Sequence, residues 1–195
     1  MHGIMRLRIA RTDGKTGSYT QRTERRAAML INRLDPRTLF RSGPVVIGET
    51  NPFTVLNPDE ICWVEVETGL ETLRQPVPHI ESLRRLKDRD EYKLLLSRQW
   101  PRWQTNPKGK AGDLLEALVE INFRGGAEVH LHVTGRVADV SLVDAIFGAP
   151  AITAGFEPDG TIYINPKAIA RARVYHSVSE VTYPSGIWVA SADEV

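Results

Sequence analysis

The sequence predicts a mixed α+β fold in which two related antiparallel β units are joined by a helical segment and can share one core. Three observations predict this fold: a short segment occurs twice, each copy is followed by alternating apolar and polar residues, and the stretch between the copies has a helical period. The predicted boundaries are a basic N-terminal arm at residues 1–26, a first β unit at 27–76, a helical connector at 77–126, and a second β unit with its tail at 127–195.

The repeated segment is centred on an Asn-Pro dipeptide. The first copy reads Phe-Thr-Val-Leu-Asn-Pro-Asp-Glu-Ile at residues 53–61, and the second reads Thr-Ile-Tyr-Ile-Asn-Pro-Lys-Ala-Ile at 161–169. Asn57 and Asn165 align without a gap at an offset of 108 residues (165 − 57 = 108). Proline fixes its own φ and biases the preceding residue toward an extended conformation, so each copy predicts a strand, a turn and a second strand. The sequence therefore indicates an internal duplication.

The residues after each turn alternate as a half-buried strand requires. In the first copy Cys62, Val64 and Val66 are predicted to face the core, and residues 170, 172 and 174 do so in the second. The outward faces carry opposite charges in the two copies, so they are electrostatically complementary. Either these faces meet, within one chain or between two chains, or they are independent solvated surfaces. The candidate protein-interface residues are Trp63, Glu65, Glu67, Arg171, Arg173 and Tyr175.

The first 26 residues contain seven basic and two acidic residues. They predict an extended arm that begins with one edge strand from Met5 to Ala10. The arm is either a solvated extension or a basic surface for an anionic partner. Two short apolar runs at 28–34 and 44–48 then predict a strand or short helix followed by a strand.

The connector is predicted to be helical. The stretch from Ile80 to Leu96 predicts one helix or two short ones, ended by Pro101. Asp113 can cap a further helix with a buried stripe at residues 114, 115, 118 and 121, and Gly125 and Gly126 end it. The second β unit then begins with a strand at 127–134, has a turn at 158–160, and ends with a strand at 187–190.

One face of the strand at 127–134 offers candidate metal ligands. Glu128, His130 and His132 share that face because side chains alternate along a strand, and imidazole with carboxylate suits zinc or iron. The alternative is that they are the solvated side of a strand whose other face is core. The sequence favours this alternative, and no cofactor is predicted.

A second candidate site combines aromatic and basic residues near the predicted helices. Stacking surfaces for bases and cations for phosphates are what a single-stranded nucleic acid site needs. The alternative is that both tryptophans cover the core at the end of a helix while the cations pair with nearby acids. The candidate residues are Arg84, Arg85, Lys87, Arg98, Trp100, Arg102, Trp103, Lys108 and Lys110.

Composition excludes several classes of protein. The formal net charge is +1, so no overall field indicates a nucleic acid or membrane partner. The single cysteine, Cys62, excludes an intrachain disulfide framework and fits a reducing compartment. No run of residues reaches the length of a membrane span, and no phosphate-binding or nucleophile motif occurs. We therefore expect a cytoplasmic protein, and the absence of these motifs favours a non-enzymatic one without excluding catalysis.

The β unit has local resemblances to two families. A strand ending in Asn-Pro before an Ile-containing strand resembles the small β domains of FlbD-like flagellar regulators, which implies a regulatory or assembly module. The segment Val137–Asp144, with its Asp-x-Ser pattern, and the Arg22–Arg26 spacing resemble PilZ domains, which implies binding of cyclic di-GMP.

The leading hypothesis is a non-enzymatic regulatory or assembly protein that associates with other protein chains or with itself. The alternative is a nucleic-acid-binding protein that uses the basic arm and the segment around Trp100 and Trp103.

Overall fold

The computed structural model describes residues 4–41, 43–47, 54–74, 76, 80–108, 112–136 and 148–179. Three features named above lie outside these residues: the predicted last strand at 187–190, the Asp-x-Ser segment at 137–144, and the candidate contact Lys110.

The described chain contains a large β-sheet and two α-helices, in agreement with the predicted α+β class. In chain order the elements are β1 (Met5–Arg11), β2 (Thr16–Gln21), α1 (Glu24–Ile31), β3 (Val45–Ile47), β4 (Thr54–Leu56), β5 (Ile61–Thr68), β6 (Ile80–Arg85), α2 (Arg89–Thr105), β7 (Leu114–Phe123), β8 (Glu128–Arg136), β9 (Ile152–Phe156), β10 (Gly160–Ile164) and β11 (Ile169–His176). Short 3-10 helices at Pro58–Glu60 and Pro166–Ala168 precede β5 and β11.

Nine of these strands form one sheet, in the order β11-β7-β8-β6-β9-β10-β5-β1-β2, and β3 pairs with β4 separately. Neighbouring strands are antiparallel except β6 and β9, which pair in parallel at Arg84 and Gly155. The sheet runs through both predicted β units because β10 from the second unit pairs with β5 from the first.

Apolar side chains of the described residues cover both faces of this sheet. Val64 and Val66 of β5 pack in a cluster with α1 and the loop after it, whereas Trp63 packs in a second cluster formed mainly by β7 to β10. A third cluster joins Trp103 of α2 to Leu118 of β7. Each fully buried large apolar side chain stabilises the fold by about 1.5–3 kcal/mol.

The predicted outward face of β5 is buried, which corrects the sequence interpretation. Trp63 is 6% exposed and Glu65 is 1% exposed, so neither is a solvated interface residue. The cause is tertiary: β5 has β1 on one side and β10 on the other, and the second cluster covers the face that carries Trp63. Glu67, near the end of β5, remains 42% exposed.

Two predictions about the connector and the arm are wrong. Residues 80–85 and 114–123 are the strands β6 and β7 rather than helices, although α2 lies where part of the first helix was expected. Residues 114–123 fit a helical stripe, but residues 115, 117, 119, 121 and 123 also alternate, and pairing with β8 and β11 selects the strand. The predicted arm forms the hairpin β1–β2, in which β1 is an internal strand of the sheet.

Both Asn-Pro segments form the strand, turn and strand that their sequence predicts. The Oδ1 atom of Asn57 accepts a hydrogen bond from the amide of Asp59 at 3.2 Å, and Asn165 accepts one from Lys167 at 3.1 Å. The side chain of each asparagine thus caps the 3-10 helix that proline begins. The predicted strand at 127–134 and the turn at 158–160 are confirmed as well.

The strands after the two turns share an irregularity. β5 pairs with β1 and β11 pairs with β7, and in each ladder one residue of the later strand is bulged out. The skipped residues are Cys62 and Ala170, which are separated by the offset of the repeat (170 − 62 = 108). A bulge bends a strand and increases its twist. Both strands therefore bend at matching positions.

The backbone hydrogen bonds beside these bulges also match. The amide of Thr12 donates to the carbonyl of Glu60 at 3.0 Å, and the amide of Arg124 donates to the carbonyl of Ala168 at 3.2 Å. Each bond ties a hairpin turn, the one after β1 or the one after β7, to the 3-10 helix that precedes β5 or β11.

The hairpin turns themselves have the same geometry. In the first, the amide of Gly14 donates to the carbonyl of Arg11 at 3.0 Å, and in the second the amide of Gly126 donates to Phe123 at 3.1 Å. Gly14 and Gly126 have φ values of 80° and 86°. Glycine suits both positions because the left-handed region is costly for other residues.

Only one of the two asparagines is buried, and this predicts unequal effects of substitution. Asn165 is fully buried, and its Nδ2 donates to the carbonyls of Ile61 at 2.9 Å and Pro58 at 3.1 Å in addition to the cap. We expect Asn57→Ala to lower the free energy of unfolding by about 0.5–2 kcal/mol, the cost of a lost cap. Asn165→Ala should cost about 2–4 kcal/mol, because it also leaves carbonyl groups unsatisfied.

Urea unfolding of both variants measures this difference, with the natural chain as reference. Equal costs for the two substitutions would show that the bonds from Asn165 to Ile61 and Pro58 contribute nothing to stability.

Candidate functional site

The predicted interface residue Glu65 lies in a buried ion cluster. Its Oε2 accepts a hydrogen bond from Nη1 of Arg8 at 3.0 Å, and its Oε1 forms an ion pair with Arg85. The guanidinium of Arg85 also lies 5.9 Å from the Trp63 ring centroid and 5.3 Å from that of Phe156. Burial raises the pKa of Glu65, although Arg85 and Arg8 oppose the rise. The cluster joins β1, β5 and β6, so its role is to hold these strands together.

The remaining interface candidates make other contacts. Glu67 is near Arg6 at 3.7 Å, and Arg171 donates to Oδ1 of Asn122 at 2.7 Å. Arg173 is exposed on β11, and Tyr175 is half-buried under α2. Among the contacts of the described residues, Glu65 pairs with Arg8 and Arg85, so the alternative in which the two faces meet within one chain is not observed at this residue.

The candidate metal ligands make contacts with other residues. The ring of His130 is 6% exposed and packs against Tyr92 of α2, with ring centroids 4.6 Å apart. His132 is hydrogen-bonded through Nε2 to Glu116 at 3.0 Å, and Glu128 lies 4.0 Å from His130. Among the described residues, no three potential ligands come together to hold a metal ion. Burial lowers the pKa of His130, so this ring favours its neutral form.

The tryptophans proposed for base stacking belong to the packing of α2. Trp103 is 7% exposed in the third cluster, and Trp100 contacts Tyr175 edge-on at 5.1 Å between ring centroids. Trp103 is therefore not available to stack on a base, which corrects the nucleic-acid interpretation. The sequence does contain a signal for this packing: Tyr92 and Trp103 are three helical turns apart and therefore lie on one face of α2.

The cations of that segment differ in their surroundings. Arg84 pairs with Glu91 at 3.1 Å, and Arg85 belongs to the ion cluster of Glu65. The other described members are exposed: Lys87, Arg98, Arg102 and Lys108.

A groove lies where the two Asn-Pro turns meet. Its main part has a volume of about 550 Å³, and its apolar walls include Phe40, Pro44, Val55 and Pro58. A smaller part of about 190 Å³ adjoins it and is lined by residues 148–150 and Pro166. Sequence reasoning missed this groove, because its walls come from segments about 100 residues apart.

The groove carries charge as well as apolar surface. Arg41 and Lys167 line both of its parts, and Asp59 lines the larger one. Lys167 and Asp59 lie 3.8 Å apart and are both more than 60% exposed, so their attraction is weak. Within the described chain, Arg41 forms no ion pair. These two residues are separated by the offset of the two Asn-Pro segments (167 − 59 = 108), so matched positions of opposite charge lie close together here.

The only cysteine has no catalytic environment. Cys62 is fully buried, and burial raises the pKa of its thiol to about 11. The thiol is therefore protonated at neutral pH, whereas a nucleophilic cysteine requires the thiolate.

No protein-family model, curated protein or solved structure matches the chain. In the part of the chain that the structure describes, neither helix is long and apolar enough to span a membrane.

Proposed function

We propose that this protein is a non-enzymatic module for protein–protein association, built by duplication of one β unit, whose groove holds an extended segment of a partner chain. A regulatory or assembly role follows from such binding. The groove is the observation that carries this proposal.

The proposed duplication is supported by more than sequence. Both Asn-Pro turns, both hairpin turns and both strand bulges recur at corresponding positions. Without a duplication, these three similarities would have to arise independently of one another. The groove lies between the two copies, so duplication also supplies both of its walls.

The groove has the properties of a binding site for an extended segment. Its volume of about 550 Å³ is within the range of ligand pockets. Proline walls at Pro44, Pro58 and Pro166 are rigid, which reduces the entropy lost on binding. Val55 is 53% exposed beside it, and exposed apolar surface of this kind often marks a contact with another protein.

Two neighbouring valines supply a matched test. Val46 and Val55 are cross-strand partners with exposed fractions of 58% and 53%, but only Val55 lines the groove. A phage-displayed peptide library is selected against the immobilised full-length chain, and the affinities of enriched peptides are measured by fluorescence anisotropy. We expect Val55→Glu to weaken binding by about tenfold or more, and Val46→Glu to change it by less than about twofold.

Failure to enrich any peptide, or equal effects of the two valine substitutions, would contradict the groove as the binding site. Light scattering on the same samples shows whether a second copy of the chain is itself a partner.

A further inference from the structure

We propose that the partner segment in the groove carries a carboxylate, held by Arg41 and Lys167, with apolar residues or prolines on both sides of it. This inference rests on the proposed function, because it names the chemistry of the segment that the same groove takes. It adds the position at which the groove distinguishes one partner sequence from another.

The lining of the groove has more positive than negative charge. Arg41 and Lys167 line both parts of the groove, so they lie where the two parts adjoin, and both side chains are exposed. Among the described residues that line the two parts, Asp59 is the only acid, and it lines the larger part alone. Two cations and one carboxylate leave a net charge of +1 (2 − 1 = 1). The junction therefore favours an anionic group.

Asp59 does not satisfy these two cations. The Nζ of Lys167 lies 3.8 Å from Oδ1 of Asp59, whereas a charge-assisted hydrogen bond of this kind is about 2.7–2.9 Å long. Arg41 forms no ion pair within the described chain, and a guanidinium can bind a carboxylate through two parallel hydrogen bonds. An incoming carboxylate can thus contact both cations without first breaking a strong ion pair.

The walls on either side of the junction are apolar and rigid. Pro44, Val55 and Pro58 line the larger part, and Pro150 and Pro166 line the smaller one. Proline has a fixed φ and no amide hydrogen, so these walls offer shape and apolar surface rather than main-chain donors. Apolar residues or prolines that flank the acid fit such walls, and a polyproline-type segment loses little entropy when it binds.

The two cations also disfavour other side chains at the junction. A neutral side chain would displace water from Arg41 and Lys167 without supplying an anion, and a partly dehydrated cation without a partner is costly. A lysine would add repulsion to that cost. The acid of the segment therefore determines which partner sequences bind.

The test uses the peptides selected on the full-length chain whose binding Val55→Glu weakens. They are synthesised with blocked ends, so that side chains carry their only carboxylates. We expect these peptides to share an aspartate or glutamate, and replacing it with its amide should weaken binding by about fivefold or more in fluorescence anisotropy. Added salt should weaken binding of the acidic peptide more than that of its amide.

Charge variants of the groove should act in opposite directions. Arg41→Gln should weaken binding of the acidic peptide by about fivefold, and Asp59→Asn should strengthen it by about twofold, because Asp59 repels the incoming carboxylate. In Arg41→Gln/Lys167→Gln the acidic peptide and its amide should bind equally. The controls Arg25→Gln and Asp159→Asn make the same changes at exposed residues that do not line the groove, and they should leave both affinities unchanged.

Three outcomes would overturn this inference while the proposed function stands: selected peptides without an acid, equal affinities of the acidic peptide and its amide for the natural chain, or equal effects of Arg41→Gln and Arg25→Gln. If no peptide is selected, or if Val55→Glu weakens none of them, the proposed function fails and this inference fails with it. Circular dichroism verifies that each variant is folded before its affinity is compared.

Discussion

Replacing Glu65 with alanine should lower the free energy of unfolding by about 3 kcal/mol, because the change leaves two arginines without their buried partner. The carboxylate is 1% exposed and contacts both Arg8 and Arg85. Breaking a fully buried ion pair costs about 3–5 kcal/mol. We expect the lower end of that range because the side chain of Arg85 remains 19% exposed. Urea unfolding at pH 7 measures the change.

Glu67→Ala is the matched control for this experiment. Glu67 lies two residues along the same strand, points to the same side and faces Arg6, but its side chain is 42% exposed and the pair is 3.7 Å apart. Such exposed pairs contribute about 0–1 kcal/mol. Similar costs for Glu65→Ala and Glu67→Ala would show that the burial of Glu65 has no energetic consequence.

A second large effect is expected at Gly125, where the turn between β7 and β8 touches the turn between β1 and β2. A Cβ atom there would lie 1.9 Å from the carbonyl oxygen of Thr12, and backbone atoms cannot turn aside as a side chain can. Gly126 has the same φ of 86° but has open space around it. Gly126→Ala should cost about 1–2 kcal/mol from the left-handed conformation alone. Gly125→Ala should cost about 1–3 kcal/mol more, because the turns must separate.

Thermal and urea unfolding of the two alanine variants isolates the contact between the turns, since backbone strain is common to both. If Gly125→Ala is no more destabilising than Gly126→Ala, the two turns do not touch in solution.

The sequence around each Asn-Pro dipeptide was sufficient to predict the local structure there. Proline at residues 58 and 166 limits the backbone, and the preceding asparagines cap the turns, so strand, turn and strand could be predicted in both copies. The core positions of Val64 and Val66 followed from alternation alone.

Features that depend on distant segments could not be predicted. Glu65 alternates with valines as a solvated residue would, and only the packing of β6 and β10 around it shows that it is buried. Residues 114–123 fit two periods at once, and pairing with β8 and β11 decides between them. The groove could not be predicted because its walls also come from segments that are distant in sequence. The opposite charges of Asp59 and Lys167 could, however, be read from the aligned Asn-Pro segments.

The pairing of β10 with β5 also sets an order of events during synthesis. β5 ends at Thr68 and β10 begins at Gly160, so 92 residues (160 − 68 = 92) must be added before the ladder can close. At a typical rate of about 5–20 residues per second, the ribosome takes roughly 5–20 s to supply them. Throughout that interval β10 is not available to pair with β5 or to pack against Trp63. The sheet therefore cannot be completed at β5 until the second half of the chain has been made.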